Sequence, residues 1–111
     1  MGKEVEEGLI YTRTGFRLYR TMWGDRIELE GVFKPLEAQG WGGNYEKYVI
    51  TVYDNHVEVK RVRNNWNGTG SDIISHCSLA EKDAEKLREQ IMHAKDISDF
   101  QQLLNNLLAT C

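Results

Sequence analysis

Along residues 26–33 (RIELEGVF), Ile27, Leu29 and Phe33 alternate with Arg26, Glu28 and Glu30. That period of two is the signature of a strand buried on one face. The same reading extends to both sides. Residues 9–13 (LIYTR) and 16–22 (FRLYRTM) flank Thr14-Gly15, a tight-turn signal, and Trp23-Gly24-Asp25 leads into 26–33. Gly31 marks a possible bulge, and Pro35 ends the strand because it cannot donate to a ladder. After a loop at 36–44 (LEAQGWGGN), residues 45–53 (YEKYVITVY) are rich in β-branched and aromatic side chains. Asp54-Asn55 suits a two-residue hairpin turn, and 56–63 (HVEVKRVR) is the return strand. A loop at 64–71 and a short strand at 72–76 (DIISH) complete the sheet.

The period then changes. Ser78-Leu79-Ala80-Glu81 has the form of a capping box, and Ala80, Ala84, Leu87, Ile91 and Ala94 fall on one helical face behind it. A second box, Ser98-Asp99-Phe100-Gln101, opens another helix, with Ile97, Phe100, Leu103, Leu104, Leu107 and Leu108 as its apolar set. The expected architecture is α+β: an N-terminal antiparallel meander of five or six strands, then two C-terminal helices packed on the sheet. A chain of 111 residues forms one domain, here a charged tail at 1–8, the sheet at 9–76 and the helices at 78–109.

The second helix carries more apolar surface than one sheet-facing stripe requires. Packing on the sheet is one use for it. A second subunit is another, with Phe100, Leu103, Leu104, Leu107 and Leu108 as a homo-oligomer interface.

Composition excludes disorder: 41% of residues are hydrophobic, and the chain holds five Tyr, three Trp and three Phe. The net charge of −3 gives no reason to expect binding to long nucleic acid or an anionic membrane. No apolar run approaches membrane-spanning length. Residues 1–71 hold ten Lys/Arg and ten Asp/Glu, whereas 72–111 hold four and seven, so the helical third supplies all the excess acid. The start, MGKEVEEG, lacks an apolar stretch, so a cytoplasmic location with Cys77 and Cys111 as free thiols is expected.

Catalytic motifs are missing: no Gly-x-Ser-x-Gly, no phosphate-binding P-loop, no His-Glu-x-x-His. The expectation is therefore a protein that is not an enzyme and has no cofactor. His76 and Cys77 are adjacent, but neighbours on a strand point to opposite faces, so no metal site is expected. Glu28 and Glu30 read as a solvated sheet face.

Two loops share an unusual composition. Each sets a tryptophan among Gly and Asn: Trp41 in 39–45 (QGWGGNY) and Trp66 in 64–72 (NNWNGTGSD). Arg61 and Arg63 precede the second loop on one strand face, and Arg13, Arg17 and Arg20 lie on the first hairpin. Guanidinium forks, aromatic plates and glycine-rich backbone are what a small anionic, nucleotide-like ligand requires. The candidate ligand site is Arg61, Arg63, Trp66, Asn67, Trp41 and Tyr45, serving capture or sequestration. The alternative is a small inhibitor or immunity-type protein. It would block a larger protein partner through the acidic helix face (Glu81, Asp83, Glu85, Glu89), with the tryptophans as anchors.

Overall fold

The computed structural model describes residues 8–34, 44–65 and 68–111. Six strands form one antiparallel sheet in chain order: β1 (Gly8–Arg13), β2 (Phe16–Trp23), β3 (Arg26–Phe33), β4 (Tyr45–Val52), β5 (His56–Asn65) and β6 (Gly68–Ser78). Two helices follow, α1 (Glu81–His93) and α2 (Ile97–Thr110). The expected meander and helical pair are both present. Among the described residues, no helix is long and apolar enough to cross a membrane.

Register explains why alternation was informative. Phe16 pairs with Phe33, Leu18 with Gly31, Leu29 with Ile50 and Val52 with Val57, so these side chains share one face. Leu18, Leu29, Ile50 and Val52 are fully buried there. Leu87, Ile91 and Ala94 from the α1 segment, with Phe100, Leu103, Leu104 and Leu107 from α2, close over that face and complete the core. The opposite face carries Arg17, Glu30, Lys47 and Lys60.

Several local expectations are corrected. Gly31 is not at a bulge, because the ladder runs through it without a shift on both sides. Its reason is steric: a Cβ at this position would fall 2.6 Å from Phe100 Cζ and 2.8 Å from Cδ2. Asp54-Asn55 does make the β4–β5 turn, with the Tyr53 N–H donating to the His56 carbonyl, yet neither residue takes positive φ. The Ser78 box does not form. Ser78 still belongs to β6, and α1 starts from Ala80 with no side-chain cap. In α2 the cap is Asp96, two residues before the expected Ser98, accepting from the Asp99 amide, while Asp99 Oδ2 accepts from the Lys95 amide. The arrangement resembles a capping box, except that the return bond comes from the Lys95 amide rather than from the cap residue.

The stretch at 64–71 is mostly strand. Asn64 pairs with Thr69 and Asn65 with Gly68, and the Thr69 hydroxyl donates to Asn64 Oδ1. Gly68, at φ +137°, admits the chain into β6 through a conformation other residues rarely adopt.

Cys77 and Cys111 are not free. The end of β6 and the residue after α2 come together with Cα atoms 5.8 Å apart, and a disulfide joins them. The free-thiol argument for a cytoplasmic location falls with that pairing.

The interface expected on α2 is also corrected. Phe100, Leu103, Leu104 and Leu107 are buried in the chain's own core, and only Leu108, 41% exposed, faces outward. The apolar face of the sheet needs a wide apolar stripe to cover it, and α2 supplies part of that stripe.

Candidate functional site

The β1–β2 turn, the end of β3, the start of β4 and the β5–β6 hairpin all lie at one end of the sheet. Pairing requires this, since Arg13 lies beside Phe16, Phe16 beside Phe33, Phe33 beside Glu46, and Tyr45 beside Asn64. An open pocket of about 600 Å³ wraps this end, lined by Gly15, Phe33, Lys34, Asn44, Tyr45, Glu46, Arg63, Asn64 and Asn65. Its size is within the range of small-molecule sites.

Two of the six expected ligand residues, Arg63 and Tyr45, line this pocket. Arg61 shares the face of Arg63 but lies outside the lining, with its Nη2 3.7 Å from Asp72 Oδ2. Trp41, Trp66 and Asn67 lie outside the described residues. Asn44 and Tyr45 from the first stretch and Asn64 and Asn65 from the second line this pocket.

The electrostatics are more balanced than a bare arginine clamp. Arg63 Nε donates to Glu46 Oε2 at 2.9 Å, across the β4–β5 ladder. The hydrogen bond to Glu46 and its charge hold Arg63 above its already high ordinary pKa. The contact is made through Nε, so the Glu46 carboxylate helps to orient the guanidinium. Lys47 Nζ sits 6.0 Å from the centre of the Tyr45 ring, at the outer limit of a cation–π contact. The pocket thus gathers one oriented guanidinium, one ammonium (Lys34), amide groups and two aromatic rings around a single carboxylate. Hydrogen-bonded capture of a polar, partly planar molecule suits that set.

Arg20 belongs to none of this. It is 6% exposed on the helix-covered face, and its Nη1 donates to the carbonyls of Ile91 at 3.2 Å and Ala94 at 3.1 Å. Those carbonyls end α1, where the helix dipole is negative. A sheet residue therefore caps a helix, a role sequence spacing could not show because 71 positions separate the partners.

The opposite end of the sheet holds a second feature that the sequence did not single out. Trp23 is 53% exposed, with the Arg26 guanidinium 4.3 Å from its ring centre and 5.7 Å from that of Tyr53. Tyr53 stacks on His56 at 4.2 Å, and His56 lies 5.0 Å from His76. Among the described residues, no group of three or more His, Cys, Asp or Glu is arranged to hold a metal ion. Comparison with family models, curated proteins and solved structures matched this chain to none of them.

Proposed function

We propose that this protein is a non-enzymatic binding module that captures a small anionic, nucleotide-like ligand at the end of its sheet. The observation that carries the reading is the pocket itself: Arg63, oriented by Glu46, opens onto the same space as Lys34 and the Tyr45 and Phe33 rings. The arginine terminal nitrogens and the lysine would take the anionic group, and an aromatic face would take the planar one. Capture alone would remove such a ligand from another protein's reach.

Equilibrium binding to a panel of nucleoside mono- and diphosphates tests this. Arg63→Ala should weaken binding at least tenfold, the order expected when a charged hydrogen-bond donor is removed. Unchanged binding in that variant, or no binding by the parent chain at millimolar ligand, would sink the proposal.

A second reading is favoured by one observation at the other end. Glu81, Asp83, Glu85 and Glu89 on α1 are all exposed, and Trp23 lies at the same end as the α1 start with one face covered by Arg26. An exposed aromatic side chain and a run of exposed carboxylates at one end of the molecule would suit an inhibitor that blocks a basic protein surface. Charge reversal at Glu85 and Glu89 would abolish that association and leave nucleotide capture intact.

A further inference from the structure

His56 opens β5 and His76 lies near the end of β6, at the end of the sheet away from the pocket. His56 pairs with Ser78 and His76 with Glu58, so the two imidazoles are diagonal neighbours on the open face. The register shift of this ladder falls beyond Val59, and the part under the histidines is regular. Between them Cys77, paired with Val57, turns to the helix side, packs against the core and joins Cys111. The backbone beneath the pair is therefore tied down from behind. The sequence sets His76 beside Cys77, which points the other way; the partner that folding supplies is His56.

Neighbouring groups hold His56 in place. Its ring stacks on Tyr53 at 4.2 Å with the planes 10° apart, and the Tyr53 hydroxyl donates to Glu58 Oε1 at 3.1 Å. His56 Nδ1 lies 3.0 Å from Asn55 Oδ1. An amide oxygen only accepts, so Nδ1 carries the proton and the lone pair is on Nε2. A ring N–H held by an outer oxygen is how metal-binding histidines are fixed in tautomer and orientation. The spacing of the two rings agrees with that use. Two imidazoles sharing one ion, with bonds of about 2.0–2.1 Å meeting at about 90–110°, have ring centres about 4.5–5.2 Å apart. The centres of His56 and His76 are 5.0 Å apart, with the planes tilted by 48°.

We infer that His56 and His76 chelate a divalent first-row transition ion, with one imidazole nitrogen from each of two strands. Imidazole ligands select borderline ions, Cu²⁺ ahead of Ni²⁺ and Zn²⁺, over Mg²⁺ and Ca²⁺, which require oxygen. Among the described residues, no third His, Cys, Asp or Glu completes the set. Water therefore fills the other positions, and the ion keeps open coordination for a further ligand. The Glu58 carboxylate, opposite His76 in the ladder, offsets part of the ion's charge. Arg26 opposes the ion from one strand further away, with its guanidinium 5.7 Å from the Tyr53 ring centre. The third histidine, His93, stands apart on α1, where its Nδ1 lies 2.9 Å from the Glu89 carbonyl oxygen, and it serves as an internal control.

Calorimetric titration of the full chain with Cu²⁺, Zn²⁺ and Mg²⁺ chlorides tests this. The parent chain should bind one Cu²⁺, bind Zn²⁺ more weakly, and leave Mg²⁺ unbound at about 1 mM. His56→Gln and His76→Gln should each weaken Cu²⁺ binding by more than the tenfold that loss of an outer-shell partner typically costs. The double variant should lose little more than either single one, because half a chelate is already broken. His93→Gln should bind as the parent does. Imidazole resonances of the parent chain supply a readout free of substitutions: Zn²⁺ should shift those of His56 and His76 together and leave His93 in place. No binding of Cu²⁺ or Zn²⁺ at about 1 mM overturns the inference. So does binding that survives either His56→Gln or His76→Gln, that is lost in His93→Gln, or that moves the resonances of only one of the pair.

Discussion

The two faces of the sheet come from the same six strands and obey opposite rules. Where the helices cover the sheet the buried residues are nearly all aliphatic or aromatic, and fit decides most. Leu18, Leu29, Ile50, Val52 and Phe100 have essentially no exposed surface. A polar group there must find its partner far away, as Arg20 does at the end of α1. On the open face several polar groups find partners one strand over. Lys47 Nζ is 2.8 Å from Glu30 Oε2, and the Thr51 hydroxyl reaches Glu28 Oε2 at 3.5 Å. The covered face is thus specified by shape and distant contacts, and the open face by local pairing that water can replace. Substitutions should separate them sharply.

The largest effect is expected at Phe100, whose ring packs on Phe16 and Phe33 with centroid distances of 6.0 and 6.4 Å. Phe100→Ala should cost about 3–5 kcal/mol of unfolding free energy in a urea titration. Gly31→Ala should cost about 1–3 kcal/mol, because its Cβ meets the same ring. Since the ring is the obstacle, the two changes together should cost clearly less than their sum. Additive losses would show that Gly31 serves some other purpose.

Arg20→Met comes next. It keeps the apolar stem and removes two charge-assisted hydrogen bonds from buried helix-end carbonyls, at about 2–3 kcal/mol. Amide exchange should localise the damage: the last turn of α1 should open first, while α2 stays protected. Uniform loss across both helices would refute the capping role.

The same contrast explains what the sequence could and could not reveal. Alternation such as Ile27-Glu28-Leu29-Glu30 is local physics, so strands and faces were legible one residue at a time. The α2 stripe was legible as apolar, but its use was not. Whether Leu103 and Leu107 meet this chain's sheet or another chain depends on how much of the sheet remains uncovered. Cap positions shifted for a related reason. Ser78 has a capping residue's chemistry, but the backbone ladder of β6, still paired there with His56, claims it first. Arg20 was read with the other arginines of the hairpin because nothing in its neighbours distinguishes it. Its partners lie in α1, where only the folded chain brings them. At the candidate site, Arg63 and Tyr45 were found from composition, while Glu46, Lys34 and Asn44 came from register and turn geometry.

The smallest effects belong to the open face, and alkaline pH exposes them. Burial pulls the Lys47 pKa down, but the hydrogen bond to Glu30 and its charge outweigh that and leave it raised above 10.5. Burial pushes Tyr53 above 10.0, the hydrogen bond to Glu58 adds to it, and Arg26 opposes. A raised folded-state pKa contributes stability that is fully present below the unfolded value and is lost as pH rises through the folded one. Stability should therefore show no Lys47 or Tyr53 dependence near neutrality and fall above about pH 10, with a slope of at most about 1.4 kcal/mol per pH unit for each group. Lys47→Met removes one of these contributions. Tyr53→Phe removes the other while keeping the ring that stacks on His56. Each should cost less than about 1 kcal/mol at pH 7 and flatten the alkaline limb. If both variants follow the parent curve above pH 10, lateral pairing does not stabilise the open face, and its charges serve only to keep that face in water.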